Sequence, residues 1–176
     1  MLRSRKKGFS IGEVIISLFV ITVGIVAAVG LIAKSISQSI DSRNEIIAAQ
    51  LAQEGAELTR NLRDNSFIVY SEDPFYWLTD GNKCIDVTKD TSATVDPNLS
   101  CSGGNYALKY DTNGRYQYGS GDATRFSRNV AIATSASPAG KRVTSTVWWS
   151  GANSPPASCT TGNKCVSVEA LLTSWK

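Results

Sequence analysis

The sequence predicts an α+β chain, with one long amino-terminal helix, first apolar and then amphipathic, laid on a carboxyl-terminal antiparallel β-sheet. Three observations predict it. No proline occurs before Pro74, and the twenty residues from Val14 to Ala33 are apolar except for Ser17, Thr22 and small glycines. From Tyr106 onward, short β-prone segments alternate with turn formers. A chain of 176 residues holds one ordinary domain plus an anchor or tail.

Arg3, Arg5, Lys6 and Lys7 precede the apolar run without an acid among them. A basic cluster before a span stays on the cytoplasmic side, so the remainder is expected to be exported. As a helix the twenty residues rise about 30 Å, the hydrocarbon thickness of a bilayer. A secretory signal cut near Ala28-Val29-Gly30 is one alternative, but its hydrophobic core would be only about 7 to 15 residues. An unprocessed anchor is another. Neither accounts for Glu13, the only ionisable side chain between Gly8 and Lys34. A carboxylate deep in a membrane costs about 2.5 to 3.5 kcal/mol, so Glu13 calls for a positive partner or an interfacial position.

The stretch Lys6-Lys7-Gly8-Phe9-Ser10-Ile11-Gly12-Glu13-Val14 resembles the processing motif of the type IV pilin-like family. That motif is a short basic leader, a glycine, an aromatic first mature residue, and a glutamate at the fifth mature position. The resemblance implies that a membrane-embedded prepilin peptidase cuts after Gly8 and methylates the new amino group of Phe9. It also implies that Glu13 attracts the amino-terminal charge of a neighbouring pilin subunit on a membrane assembly platform. Losing the four leader bases takes the side-chain count from 18 basic and 15 acidic to 14 and 15. The apolar rod is then free to leave lipid and be buried among sister rods. Many pilins carry a helix-breaking proline near the end of this segment, where this sequence has Gly30. Gly24 and Gly30 allow close helix contact. With the segment Ala48-Ala49-Gln50-Leu51-Ala52-Gln53-Glu54, the chain looks closest to minor pilins and secretion-system pseudopilins.

The expected organisation is a leader at 1–8, a transmembrane and filament-core helix at 9–34, an amphipathic helical half at 35–64, a structured loop region at 65–104 and a sheet head at 105–176. Helix-compatible residues run from about Ser10 to Asp64, on the order of 80 Å. Ile36, Ile40, Ile47, Leu51, Leu58 and Leu62 mark one stripe that should pack on the head, with Ala48, Ala52 and Ala56 allowing close approach beside it. Ser39, Arg43, Glu57 and Arg60 are placed toward solvent.

In the head, Tyr106–Tyr110, a turn at Asp111-Thr112-Asn113-Gly114, and Arg115–Tyr118 form a hairpin. Phe126–Thr134, Arg142–Trp149 and Cys165–Leu172 complete a four- or five-stranded sheet. Within the second of these, Val143, Ser145 and Val147 alternate with Thr144, Thr146 and Trp148. Leu171 to Trp175 should dock the chain end.

Cys84, Cys101, Cys159 and Cys165 all follow the apolar segment, and an even count in loop-rich surroundings reads as disulfides in an oxidising compartment. Three connectivities are formally possible. Sequential pairing is favoured because Cys159 to Cys165 reads as one tight turn. Without histidine or a CxxC pair a zinc site is disfavoured, and no nucleophile has a matching base. Asp111-x-Asn113-Gly114 lacks the remaining ligands of a calcium loop. No metal, cofactor or enzymatic activity is expected.

Charge is uneven. Asp64 to Cys101 holds seven acids and two bases; Tyr106 to Lys176 holds eight bases, Arg115, Arg125, Arg128, Lys141 and Arg142 among them, and three acids. A solvated surface is the plainest explanation, subunit-to-subunit complementarity the next. DNA capture by the basic face with Tyr116, Tyr118 or Trp149 is the third. A membrane-anchored exported binding module is the alternative function. The expected location is the bacterial cytoplasmic membrane, single-pass with the head exported, and then a filament.

Overall fold

A computed structural model of the chain describes residues 8, 10–70, 73–88, 99–101, 104–160 and 163–174. The leader bases, Phe9 and Trp175 lie outside the described residues. Two compact units divide the chain at Met1–Arg43 and Asn44–Lys176.

One helix, α1, covers Ile11–Val69. It starts where the Ser10 carbonyl accepts the N–H groups of Glu13 (3.0 Å) and Val14 (3.2 Å). It continues through Gly24 and Gly30 without a break. It also runs five residues past Asp64, because nothing before Pro74 removes a donor or forces a turn. The stop is a turn in which Asp73 N–H donates to the Tyr70 carbonyl and the Ser66 hydroxyl donates to the Asp73 carbonyl.

The second unit is an α1 segment on a six-stranded antiparallel sheet. Its strands are β1 (Gly81–Lys83), β2 (Ala107–Tyr110), β3 (Tyr116–Gln117), β4 (Asp122–Ala136), β5 (Ala139–Trp148) and β6 (Cys165–Thr173). The order is β3-β2-β4-β5-β6, with β1 also paired to β4. The additional strand is β1, whose Gly-Asn-Lys sequence carries no alternation to announce it; its pairing spans Gly81↔Ile132 to Lys83↔Val130. A long hairpin, Ser127↔Trp148 through Ala136↔Ala139, forms the backbone of the sheet.

Two apolar clusters lie between helix and sheet. Ala48, Leu51 and Ala52 meet Leu108, Phe126 and Val147 at one end. Leu62 meets Val130, Ile132, Val143 and Leu172 at the other, where Trp77, Leu78, Ile85 and Leu99 close over them from the loop region. The buried helix face is built on small residues, Ala48, Ala52, Gly55, Ala56 and Thr59, with Ile47 and Leu58 at its flanks. Burial starts at Asn44; Ile36 and Ile40 of the predicted stripe are 57% and 50% exposed.

Trp148 departs from simple alternation. It faces away from Val147, yet it is buried, because the Tyr106 ring lies 5.7 Å away and its Nε1–H donates to the Ala152 carbonyl at 2.7 Å. Both faces of β5 are therefore covered at that end. The cysteines pair as Cys84–Cys101 and Cys159–Cys165, with Cα separations of 5.0 and 5.5 Å.

Candidate assembly site

Within the first unit, α1 presents apolar side chains all round. Ile11, Val14, Phe19, Val26, Leu31 and Ile32 are all exposed. The best eighteen-residue window of the helix has a mean hydropathy of 2.8 and no buried residue, so the helix is long and apolar enough to cross a membrane. Water does not tolerate a continuous apolar cylinder of this size; lipid or other apolar helices do.

The polar groups inside the run are satisfied without leaving the helix. Ser17 Oγ donates to the Glu13 carbonyl at 2.8 Å, and Thr22 Oγ1 donates to the Phe19 carbonyl at 2.9 Å. Hydrocarbon offers no partner, so a hydroxyl there must bond back to its own backbone. Glu13 stands in the first turn of α1, fully on the surface of the chain. There its charge favours the partly positive helix end. Of the two residues expected to flank a cut, Gly8 is described and exposed, while Phe9 lies outside the described residues.

The basic residues of the head are largely committed to partners. Arg128 is fully buried, donating through Nη1 to the Leu51 carbonyl (3.1 Å) and through Nη2 to the Ile85 carbonyl (2.7 Å), with Glu54 at 3.6 Å. Its guanidinium sits 5.7 Å from the Tyr118 ring centre. Burial pushes the Tyr118 phenol upward from its ordinary pKa, only partly offset by Arg128. Arg115 pairs with Asp111 (3.1 Å), Lys141 with Asp80 (2.7 Å) and Arg142 with Glu169 (2.7 Å). Tyr116 and Trp149 pack against the Phe126 cluster. The aromatic and basic residues considered for DNA capture are thus mostly occupied in holding the head together.

Two carboxylates are held below their ordinary pKa. For Asp80 the main cause is the Lys141 ammonium hydrogen bond, then bonds from Thr134. For Asp111 it is chiefly the Arg115 backbone N–H, against some desolvation and with help from the Arg115 side chain and Asn113 N–H. Asp111 therefore serves the predicted turn, where Gly114 adopts φ +81°. Among the described residues, no group of three or more His, Cys, Asp or Glu is placed to hold a metal ion.

Sequence reasoning missed the core position of Arg128, although the signal was present: it shares the two-residue period of Phe126, Val130 and Ile132. Nothing in the sequence announced the Asp80–Lys141 pair, which spans 61 positions. In comparisons with protein-family models, curated proteins and solved structures, the chain gives no match.

Proposed function

We propose that the chain is a structural subunit of a type IV pilus-like filament, a minor pilin or pseudopilin. Prepilin peptidase cuts it after Gly8 and methylates Phe9. The apolar part of α1 holds it in the cytoplasmic membrane with the head exported, and an assembly platform then transfers it among other pilin subunits. The single observation that carries this is the exposed apolar helix with one carboxylate, Glu13, in its first turn, directly behind the Lys7-Gly8-Phe9 junction. Helix and head divide the labour: the apolar half exchanges lipid for sister helices, and the small-residue half carries the sheet. Two disulfides suit the exported side.

Intact-mass measurement and amino-terminal sequencing of the membrane-fraction protein test the proposal. The expected mature chain begins with N-methylated Phe9. Cleavage near Gly30, or an intact Met1 start where the peptidase is active, rejects it.

A further inference from the structure

We propose that heads of two copies dock end to end. An electronegative aromatic patch of Tyr70, Asp73 and Tyr76 on one copy receives a basic patch of Lys109 and Arg125 on the next. The contact deepens the filament reading by naming where heads meet, and its place in a filament rests on that reading.

At the first patch every feature has the same sign. The last turn of α1 contains no basic residue, so the partial negative charge of its carbonyl end is not offset there. Tyr70 and Tyr76 stack with centroids 4.2 Å apart and keep 39% and 50% of their surface exposed. Asp73 lies in the turn between them: its N–H donates to the Tyr70 carbonyl and its carbonyl accepts the Tyr76 N–H. Its exposed carboxylate accepts the Phe75 N–H and forms no ion pair among the described residues. Ring faces and a carboxylate together attract a cation, and partly exposed tyrosines make effective interface anchors.

The second patch is the complement. Lys109 follows the buried Leu108 on β2, and Arg125 precedes the buried Phe126 on β4. The register shifts from Lys109↔Ala123 to Ala107↔Ser127, which brackets Arg125 in the bulged stretch of β4 beside Lys109. Arg125 is exposed and Lys109 partly so, and neither has an ion pair among the described residues. Among the bases between β2 and β6, Arg115, Arg128, Lys141 and Arg142 have acidic partners. Against the exposed Asp122 nearby, the patch keeps a net positive charge.

The two patches sit at opposite ends of the head. Val69 and Phe75 pack with the Leu62 cluster, whereas Leu108 and Phe126 pack with Ala48 to Ala52. On α1 those positions are separated by ten residues or more, roughly 15 Å at least. One copy therefore cannot neutralise its own patches, and a second copy can. With the two patches at opposite ends, the contact is heterologous and repeats from copy to copy, building an open chain, or a ring where the rotation closes.

The test uses the full-length chain in detergent micelles, with equal amounts of ¹⁴N- and ¹⁵N-labelled copies. A carbodiimide activates the Asp73 carboxylate, the Lys109 amine displaces the resulting urea, and an amide remains. Peptides joining Asp73 of one isotope to Lys109 of the other are expected by mass spectrometry. In sedimentation, Asp73→Arg and Arg125→Asp should each weaken self-association about tenfold or more, through like-charge contact. The double charge swap should restore it. Absence of mixed-isotope links, unchanged sedimentation of the single variants, or a double variant no better than the singles would overturn the contact. Whether Phe9 is the mature start is read separately, in cells where the peptidase is active, so an intact Met1 start there beside mixed-isotope links sinks the pilin reading alone.

Discussion

The guanidinium of Arg128 donates to the backbone carbonyl of Leu51 at 3.1 Å, tying the middle strand of the sheet to the buried face of α1 across 77 positions. Its other arm reaches the Ile85 carbonyl, so one side chain joins helix, sheet and loop. A buried charge is tolerated because these carbonyls and Glu54 surround it. Glu54 is 35% exposed and its ion pair is screened, so the two carbonyl bonds carry most of the effect. Arg128→Met is expected to lower stability by about 3 kcal/mol. Arg128→Lys should recover only part, since one ammonium lacks the fork that spans both carbonyls. Thermal unfolding followed by circular dichroism in micelles measures both.

Gly55 is a point of close approach between α1 and the sheet. A Cβ there would collide with the Ser145 side chain and press on Arg128 Cδ at 3.2 Å. Gly55→Ala should therefore cost about 1 to 3 kcal/mol through overpacking, despite the better helix propensity of alanine. Ser145 Oγ is buried without a hydrogen-bond partner, so pairing the change with Ser145→Gly should return most of the loss. Gly30→Ala meets no neighbour within 4 Å and should leave the unfolding midpoint of the head unchanged. The three unfolding curves decide it.

Asp80 binds Lys141 and Thr134 together, fastening the start of β1 to the β4–β5 hairpin. Its folded pKa is depressed, so its contribution is present above the ordinary value of 3.8 and lost as pH falls through the folded value. Asp80→Asn should melt below the parent at about pH 6, and the gap should narrow toward about pH 3. A gap that is constant with pH would assign the effect to geometry instead of charge.

Glu13 lies in the first turn of α1, at the start of its apolar surface. Glu13→Ala should insert into membranes normally, and removing the charge relieves a cost of about 2.5 to 3.5 kcal/mol at bilayer depth. Incorporation into sheared filaments should nevertheless fail, as scored by immunoblot against membrane-retained protein. Unchanged incorporation would remove the assembly role of Glu13.

Each level of the fold left a different amount of trace in the sequence. The long helix was visible because proline is absent and the apolar run is continuous, and both are local properties. The sheet was visible from alternation at Val143, Ser145 and Val147, all of which prove buried. The short Cys159 to Cys165 interval favoured sequential cysteine pairing without deciding among the three connectivities, and the structure pairs the cysteines that way. The start of the packed helix face was not visible, since Ile36 and Ile40 continue the same stripe that Leu51 and Leu62 bury.

By itself, then, the sequence determined an apolar helix with a single carboxylate, an α+β head and an oxidised set of cysteines, because each depends on neighbours in the chain. Only the tertiary structure decided that Arg128 belongs to the core, that Trp148 is covered on its outer side, and that Asp73 and Arg125 are left without ion-pair partners among the described residues. Those outcomes depend on which distant groups arrive within about 3 Å of one another, where hydrogen bonds form. A local pattern of residue types does not specify such distances.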